Sequence, residues 1–219
     1  MGTKVAAAKA AAADEKSAAA AKPRVRDRIF ETASELFYMH GIRAVGVDAI
    51  AQEAGTNKMS FYRSFPSKEH LVAEYLRDQQ REYFEWWDGA IAPHAGNARK
   101  QLEALFDAYV DLVRGSKNKE SCACKTSRGC ALGNAAVEIQ EGDELLGGIV
   151  HDYKTEIRKR LRKLAREAGA REPEWLGDAL MLLMEGGYYT RLTFPYNTGP
   201  VAVIAKTARQ LIEGQIKGG

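Results

Sequence analysis

GIRAVGVDAIAQEAGTNKMSFYRSFPSK, residues 41–68, holds two short helical patterns around a glycine, the second of them aromatic and basic and closed by Pro-Ser-Lys. Val47, Ile50, Ala51 and Ala54 recur at helical spacing and stop at Gly55, which can take the positive φ of a sharp turn. Asn57 is suited to cap a helix running through Phe65, with Phe61 and Phe65 one turn apart and facing inward. Ala51 and Ala54 are small enough to let the two helices approach. Once the inward phenylalanines are set aside, Asn57, Lys58, Met59, Ser60, Tyr62 and Arg63 remain on the outer face of the second helix. A helix-turn-helix lays such a face in the major groove, where donor and acceptor patterns distinguish base pairs. Arg63 or Lys58 suits guanine O6 and N7, Ser60 a base edge or phosphate, and Met59 a thymine methyl. Tyr62 and Lys68 suit phosphates, Lys68 also placing the N–H groups of a helix start near an anion. The same spacing also fits an ordinary helical hairpin with solvated charges.

Outward from this segment the pattern stays helical. Val25, Ile29, Ala33, Leu36 and Phe37 share one face of a preceding helix that begins after Pro23 and is closed by Gly41. Pro66 ends the recognition helix, and Ser67 caps a long one from Lys68 to about Ala90 whose apolar face is Leu71, Val72, Tyr75, Leu76, Tyr83, Trp86 and Trp87. The order Ile29, Ala33, Leu36, Phe37, Gly41, then Val47, Ile50, Ala51, Ala54, Gly55, then Phe61, Tyr62, Phe65, Pro66, Ser67, Lys68, Glu69 and Leu71 resembles the N-terminal signature of TetR/AcrR-type transcriptional regulators. It departs from that family at Val45 and Gly46, where Ser or Thr hydroxyls usually cap the second helix and touch phosphate, and at Met59 and Ser64, where glycine and an aromatic residue are frequent.

Beyond Pro93, helical spacing continues in Leu102 to Val113, Leu132 to Ile139, Leu146 to Leu164, Trp175 to Arg191 and Val201 to Ile216, the last two parted by Pro195, Tyr196 and Asn197. No run of alternating apolar residues argues for a sheet. The expected fold is all-α with about nine helices: an Ala/Lys-rich tail over 1–22, a three-helix DNA-binding head over 23–67 with its helix-turn-helix at 46–65, and a larger helical domain over 68–219. The resemblance implies that this larger domain binds a small-molecule effector and forms a homodimer, so the DNA partner is a double-stranded, palindromic operator and the protein a repressor released by its ligand. Trp86, Tyr109, Asn134, Tyr153 and Tyr188 are the aromatic and polar groups expected in the ligand pocket. Trp175, Ala179, Leu182 and Leu183 against Ile204, Ala208, Leu211 and Ile212 are expected to form the dimer interface. The long helix from Lys68 is the expected lever between the two functions.

Three cysteines crowd one segment, SCACKTSRGC. Cys130 stands at a helix start near Lys125 and Arg128, a setting that favours thiolate, so a redox- or electrophile-sensing regulator acting through Cys130, Cys122 and Cys124 is the alternative reading. Their C-x-C-x5-C order lacks the paired spacing of a zinc site, and no histidine has a catalytic context, so no metal, cofactor or enzymatic activity is expected, a cysteine-dependent enzyme being the remote alternative. A net charge of +3 over 219 residues excludes a bulk polyanion binder. The basic run Lys154, Arg158, Lys159, Arg160, Arg162, Lys163 and Arg166 reads as a solvated helix face rather than a second nucleic-acid surface. With no stretch of about 18 apolar residues and no secretion signal, the expected location is the cytoplasm, away from the membrane. The lysines of the tail leave open a basic arm that meets DNA.

Overall fold

A computed structural model describes residues 23–114, 128–140, 142–195 and 199–216. Among the described residues are nine α-helices and no strand: α1 Val25–His40, α2 Val47–Glu53, α3 Lys58–Ser64, α4 Lys68–Ile91, α5 Ala98–Arg114, α6 Ala131–Glu138, α7 Glu144–Glu167, α8 Pro173–Thr190 and α9 Ile204–Gln215. The alanine-rich tail, Cys122, Cys124, Lys125 and the Tyr196-Asn197 turn lie outside the described residues.

Helices α1 to α3 close over one small core of Ile29, Ala33, Phe37, Val45, Ile50, Ala54, Phe61 and Phe65, each nearly inaccessible to solvent. Val25, expected on the inner face, is exposed because the first turn of α1 runs past that core. Gly41 stops α1 at φ +90°, with its N–H donating to the Phe37 carbonyl (2.9 Å). α2 starts from Gly46 with no side-chain cap, and Val45 spends its side chain in the core, so the hydroxyls absent from this sequence are not replaced. Gly55 makes the turn at φ +61°. The Asn57 side chain then accepts the Ser60 N–H (2.9 Å) and starts α3. That helix ends at Ser64 rather than Phe65, because Pro66 disfavours helical backbone in the residue before it; Phe65 is extended at φ −136° and ψ 126°, yet 2% exposed.

Ser67 accepts the His70 N–H (3.2 Å) and opens α4, whose 24 residues extend about 36 Å at ~1.5 Å each. Its first turns bury Leu71, Val72, Ala73, Tyr75 and Leu76 beneath the head, and Trp87 near its far end enters the core of the larger unit. α5, α6 and α7 pack on α4, while α7 and α8 form the most extensive pair. These two run antiparallel, and charge fixes their register. Arg158 and Arg162 both fork Asp178 (2.6–2.8 Å), Arg166 meets Glu174 (2.7 Å) and Lys154 meets Glu185 (2.5 Å). Arg160 reaches Asp88 on α4 (2.7 Å) and Glu156 within α7, and Lys159 and Lys163 pair with Glu156 and Glu167. Every cation of the basic run therefore has a carboxylate partner.

α9 lies on α5 and α8. Ile204, Ala208 and Ile212, spaced four apart, are all buried in the chain's own core, which corrects their expected place between two subunits. A 12-residue helix with one apolar face spends that face on its own subunit. Leu183 and Leu211 are half-buried and pack at the core's edge, Ala179 is half-buried, and Trp175 and Leu182 stand 50% and 72% exposed.

Candidate nucleic-acid interface and effector site

The outer side of α3 is built over an anchored inner side. Phe61 is 0% exposed, and its ring meets Phe65 (5.9 Å between centroids) and Tyr62 edge-on (5.3 Å). Asn57, Lys58, Met59, Tyr62 and Arg63 are exposed around it, and Ser60 is half-buried. The chemistry of that face is less uniform than its exposure. Asn57 is committed to the cap, Lys58 Nζ pairs with Asp48 on α2 (3.1 Å), and the Ser64 hydroxyl donates back to the Ser60 carbonyl (2.9 Å). Arg63 has no ion-pair or hydrogen-bond partner among the described residues. Lys68 does not point outward. Its Nζ donates to the Ile42 carbonyl (2.6 Å) and lies 6.0 Å from the Phe37 ring centre, and burial lowers its pKa against the raising influence of Glu138.

Two arginines on α1, outside the set that residue pattern marks for the interface, hold this arrangement. Arg28 Nε donates to the Ala54 carbonyl in the turn between α2 and α3 (3.3 Å). Arg26 stacks its guanidinium over Phe65 (4.7 Å) and pairs with Glu74 of α4 (2.6 Å). Nothing in apolar periodicity marks such residues, because they act through long side chains rather than through a buried face.

In the larger unit Tyr109, Tyr153 and Tyr188 come together, and Tyr83 joins them. Tyr109 meets Tyr188 edge-on (5.2 Å), Tyr83 meets Tyr153 (5.3 Å), and Trp86 reaches the group through Tyr83 (5.3 Å). The Tyr109 hydroxyl donates to the Met184 carbonyl. Burial pushes all four phenols above their ordinary pKa, those of Tyr83, Tyr153 and Tyr188 strongly, so each is a neutral donor and acceptor at physiological pH. Glu185 stands close enough to raise Tyr83, Tyr109 and Tyr188 further, and its charge is matched by Lys154. The result is an aromatic, electrically balanced cluster rich in hydroxyls. Tyr83 was visible in the sequence only as one more apolar-face residue of α4.

Asn134 is not part of this cluster. Its amide donates to the Arg128 carbonyl (2.7 Å), and it lines a cavity of about 380 Å³ between α1 and α6, together with Phe37, Tyr38, Gly41, Arg128, Val137, Glu138 and Leu192. It sits on the turn of α6 that looks toward the head. Cys130 caps α6, its Sγ accepting the Gly133 N–H (3.4 Å) and lying 3.7 Å from the Tyr153 hydroxyl. At 8% exposure it is screened from solution oxidants, and the Arg128 guanidinium is turned away to the Met39 carbonyl. The sensor-thiol reading thus lacks an accessible nucleophile at Cys130. No group of acidic, histidine or cysteine side chains suited to a metal occurs among the described residues. None of the described helices is long and apolar enough to cross a membrane.

A recognition helix held outward by a three-helix core and continued by a long helix into a larger helical unit defines a helix-turn-helix transcriptional regulator. Residues 29–75 match the family model for bacterial regulatory proteins, tetR family. The chain is 44% identical over 192 residues to the uncharacterized HTH-type transcriptional regulator YxaF of Bacillus subtilis, covering 85% of this chain and 94% of that one. It is 34% identical over 85 residues to the HTH-type transcriptional repressor KstR2 of Mycolicibacterium smegmatis; that match covers 39% of this chain and 40% of the relative. The fold is that of SCO4454, a TetR-family transcriptional regulator from Streptomyces coelicolor, with a TM-score of 0.71 at 24% identity over 87% of this chain and 93% of the other. The chain belongs to the TetR family and is a DNA-binding transcriptional regulator.

Proposed function

We propose that the protein is a homodimeric repressor that binds a palindromic operator through residues 23–67 and is released by a small molecule bound in the domain formed by residues 68–219. The observation that carries the DNA half of this reading is the outward set on α3, with Phe61 buried beneath Lys58, Met59, Tyr62 and Arg63. Arg63 is assigned the guanine contact, Lys58 a shared role between Asp48 and DNA, Met59 a thymine methyl, and Tyr62 a phosphate. Asn57 and Lys68 act by holding α3 and the start of α4 in place.

The hydroxyl-rich cluster of Tyr83, Trp86, Tyr109, Tyr153 and Tyr188 supports an effector site walled by aromatic rings. The apolar residues left outward on α8, Trp175, Leu182 and Tyr189, support an isologous interface across that helix. A dimer places two recognition helices against half-sites about 34–36 Å apart. A ligand that prefers another separation drains the DNA-competent population in proportion to its differential affinity. α4 connects the two ends.

Selection of bound sequences from a random DNA library, followed by a small-molecule screen against the selected site, tests the reading. A palindrome released by at least one compound is the expected result. Sequence-indifferent binding at physiological salt would sink it.

A further inference from the structure

The inner face of α8 ends in a charge that no described residue answers. Leu176, Leu180, Met184 and Gly187 are buried at three- and four-residue steps along that face, and Arg191, still helical at φ −61° and ψ −29°, takes the next place in the row. The Gly187 turn lies deep inside: a Cβ there would stand 2.6 Å from the Tyr109 hydroxyl and 2.7 Å from Ile204 Cδ1. One turn further on, the Arg191 side chain is half-buried and its Nη1 is closed to solvent. Its guanidinium has no hydrogen-bond or ion-pair partner among the described residues.

A buried donor without an acceptor bears the full desolvation cost of the group, and a guanidinium keeps its charge in every protein environment. An arginine at the end of a helix does gain from the roughly half negative charge of the last carbonyls. Here backbone N–H groups take those carbonyls: Gly187 is bonded by Arg191, Tyr189 by Leu192, and Thr190 by Thr193 and Phe194 (2.9–3.3 Å). The helix end therefore offsets part of the cost and leaves Nη1 without an acceptor.

The surroundings define the acceptor that fits. Tyr188, three residues before Arg191 and so about 4.5 Å back along the axis, meets Tyr109 edge-on (5.2 Å). Both phenols are neutral, so they can share hydrogen bonds but cannot balance a cation. Glu185 could balance it, but that carboxylate is held by Lys154 (2.5 Å). A second negative group placed deeper among the tyrosines would meet Glu185, whose charge already raises Tyr109 and Tyr188. The complement is one anionic group at the Arg191 end and an uncharged ring toward the tyrosines.

We propose that Arg191 is the anion anchor of the effector site, receiving the carboxylate of an aromatic monocarboxylic acid whose ring lies against Tyr188 and Tyr109. This deepens the effector-released regulator reading above and rests on it. A guanidinium donates two parallel N–H bonds to a carboxylate, a geometry that the uncharged amide of the same acid does not match.

The test uses the full chain with benzoate, cinnamate and 2-naphthoate, and with the amide of each. Calorimetric titration is expected to show at least one acid binding tighter than its amide by about tenfold or more, the lower end for a hydrogen bond to a charged group. Arg191→Met is expected to erase that preference while the ligand-free variant melts no lower than wild type, because a flexible apolar chain replaces an unanswered charge. If the methionine variant does not fold, Arg191→Gln takes its place with the same expected loss. No binding by any of the three acids, acids no tighter than their amides, or a preference that survives the substitution overturns the proposal. Acid binding through Arg191 that leaves the selected operator occupied refutes the effector reading and keeps the anion site. Operator release by neutral compounds with no acid bound keeps the effector reading and overturns the anion site.

Discussion

Arg63 and Lys58 are the two cations of the recognition helix, and their surroundings assign them different work. Lys58 shares its charge with Asp48 at 3.1 Å, an exposed pair that contributes little to stability and opens readily toward a phosphate, whereas Arg63 has no such partner among the described residues. Arg63→Ala is expected to weaken operator binding by about 1–3 kcal/mol and relax preference at one base pair, read by anisotropy titration against a panel of single-base variants. Lys58→Ala is expected to weaken all those sequences alike and to lower the salt slope by about one. Beneath them, Phe61 is 0% exposed at the centre of a small core, so Phe61→Ala should destabilise the head by about 3–5 kcal/mol in urea unfolding followed by a probe in residues 23–67. The sequence made Phe61, the Asn57 cap and the missing hydroxyls at Val45 and Gly46 legible, since each depends on residue type and near neighbours. It did not show Lys68 turning to Ile42 or Arg28 reaching Ala54, because those partners lie 26 residues away.

At the scale of elements, the α7–α8 pair is held by charge as well as by apolar packing. Hydrogen bonds from Arg158 and Arg162 hold the Asp178 carboxyl far below the usual carboxylate range. A folded-state pKa depressed below the unfolded value of about 3.8 gives stability that is complete above that value and is lost as pH falls toward the folded one. Asp178→Asn should therefore lower thermal stability at neutral pH and flatten its decline in acid, with the gap between the two proteins beginning to close only as pH falls below about 3.8. Parallel acid limbs for the two proteins would contradict this. Apolar spacing located all of these helices but not their charged partners, since the basic run of α7 reads as a solvated face until Asp178, Glu174 and Glu185 are brought beside it. The same limit explains Ile204, Ala208 and Ile212: spacing defines the apolar face of α9, and only packing decides that α5 and α8 of the same chain cover it.

For the molecule as a whole, the DNA reading needs two copies held at a defined separation. Leu182 is 72% exposed in the middle of α8, between Trp175 and Tyr189, which lie on the same side of that helix at helical spacing. Leu182→Glu is expected to convert a dimer to monomer by sedimentation at micromolar concentration, to leave the helical circular dichroism unchanged, and to abolish binding to the palindrome while sparing weak binding to a half-site. A monomeric wild-type chain would refute the interface.

By itself the sequence determined the all-α class, the helix-turn-helix and the residues that face outward from it. Those depend on period, caps and breakers, whose range is one or two turns of helix. Tertiary structure alone decided that Tyr83 joins Tyr109, Tyr153 and Tyr188, that Asn134 faces the head instead, and that Glu138 meets Arg43 at 2.8 Å across 95 residues of chain. Such meetings are set by how whole helices pack, and local spacing carries no record of which distant side chain the packing will bring alongside.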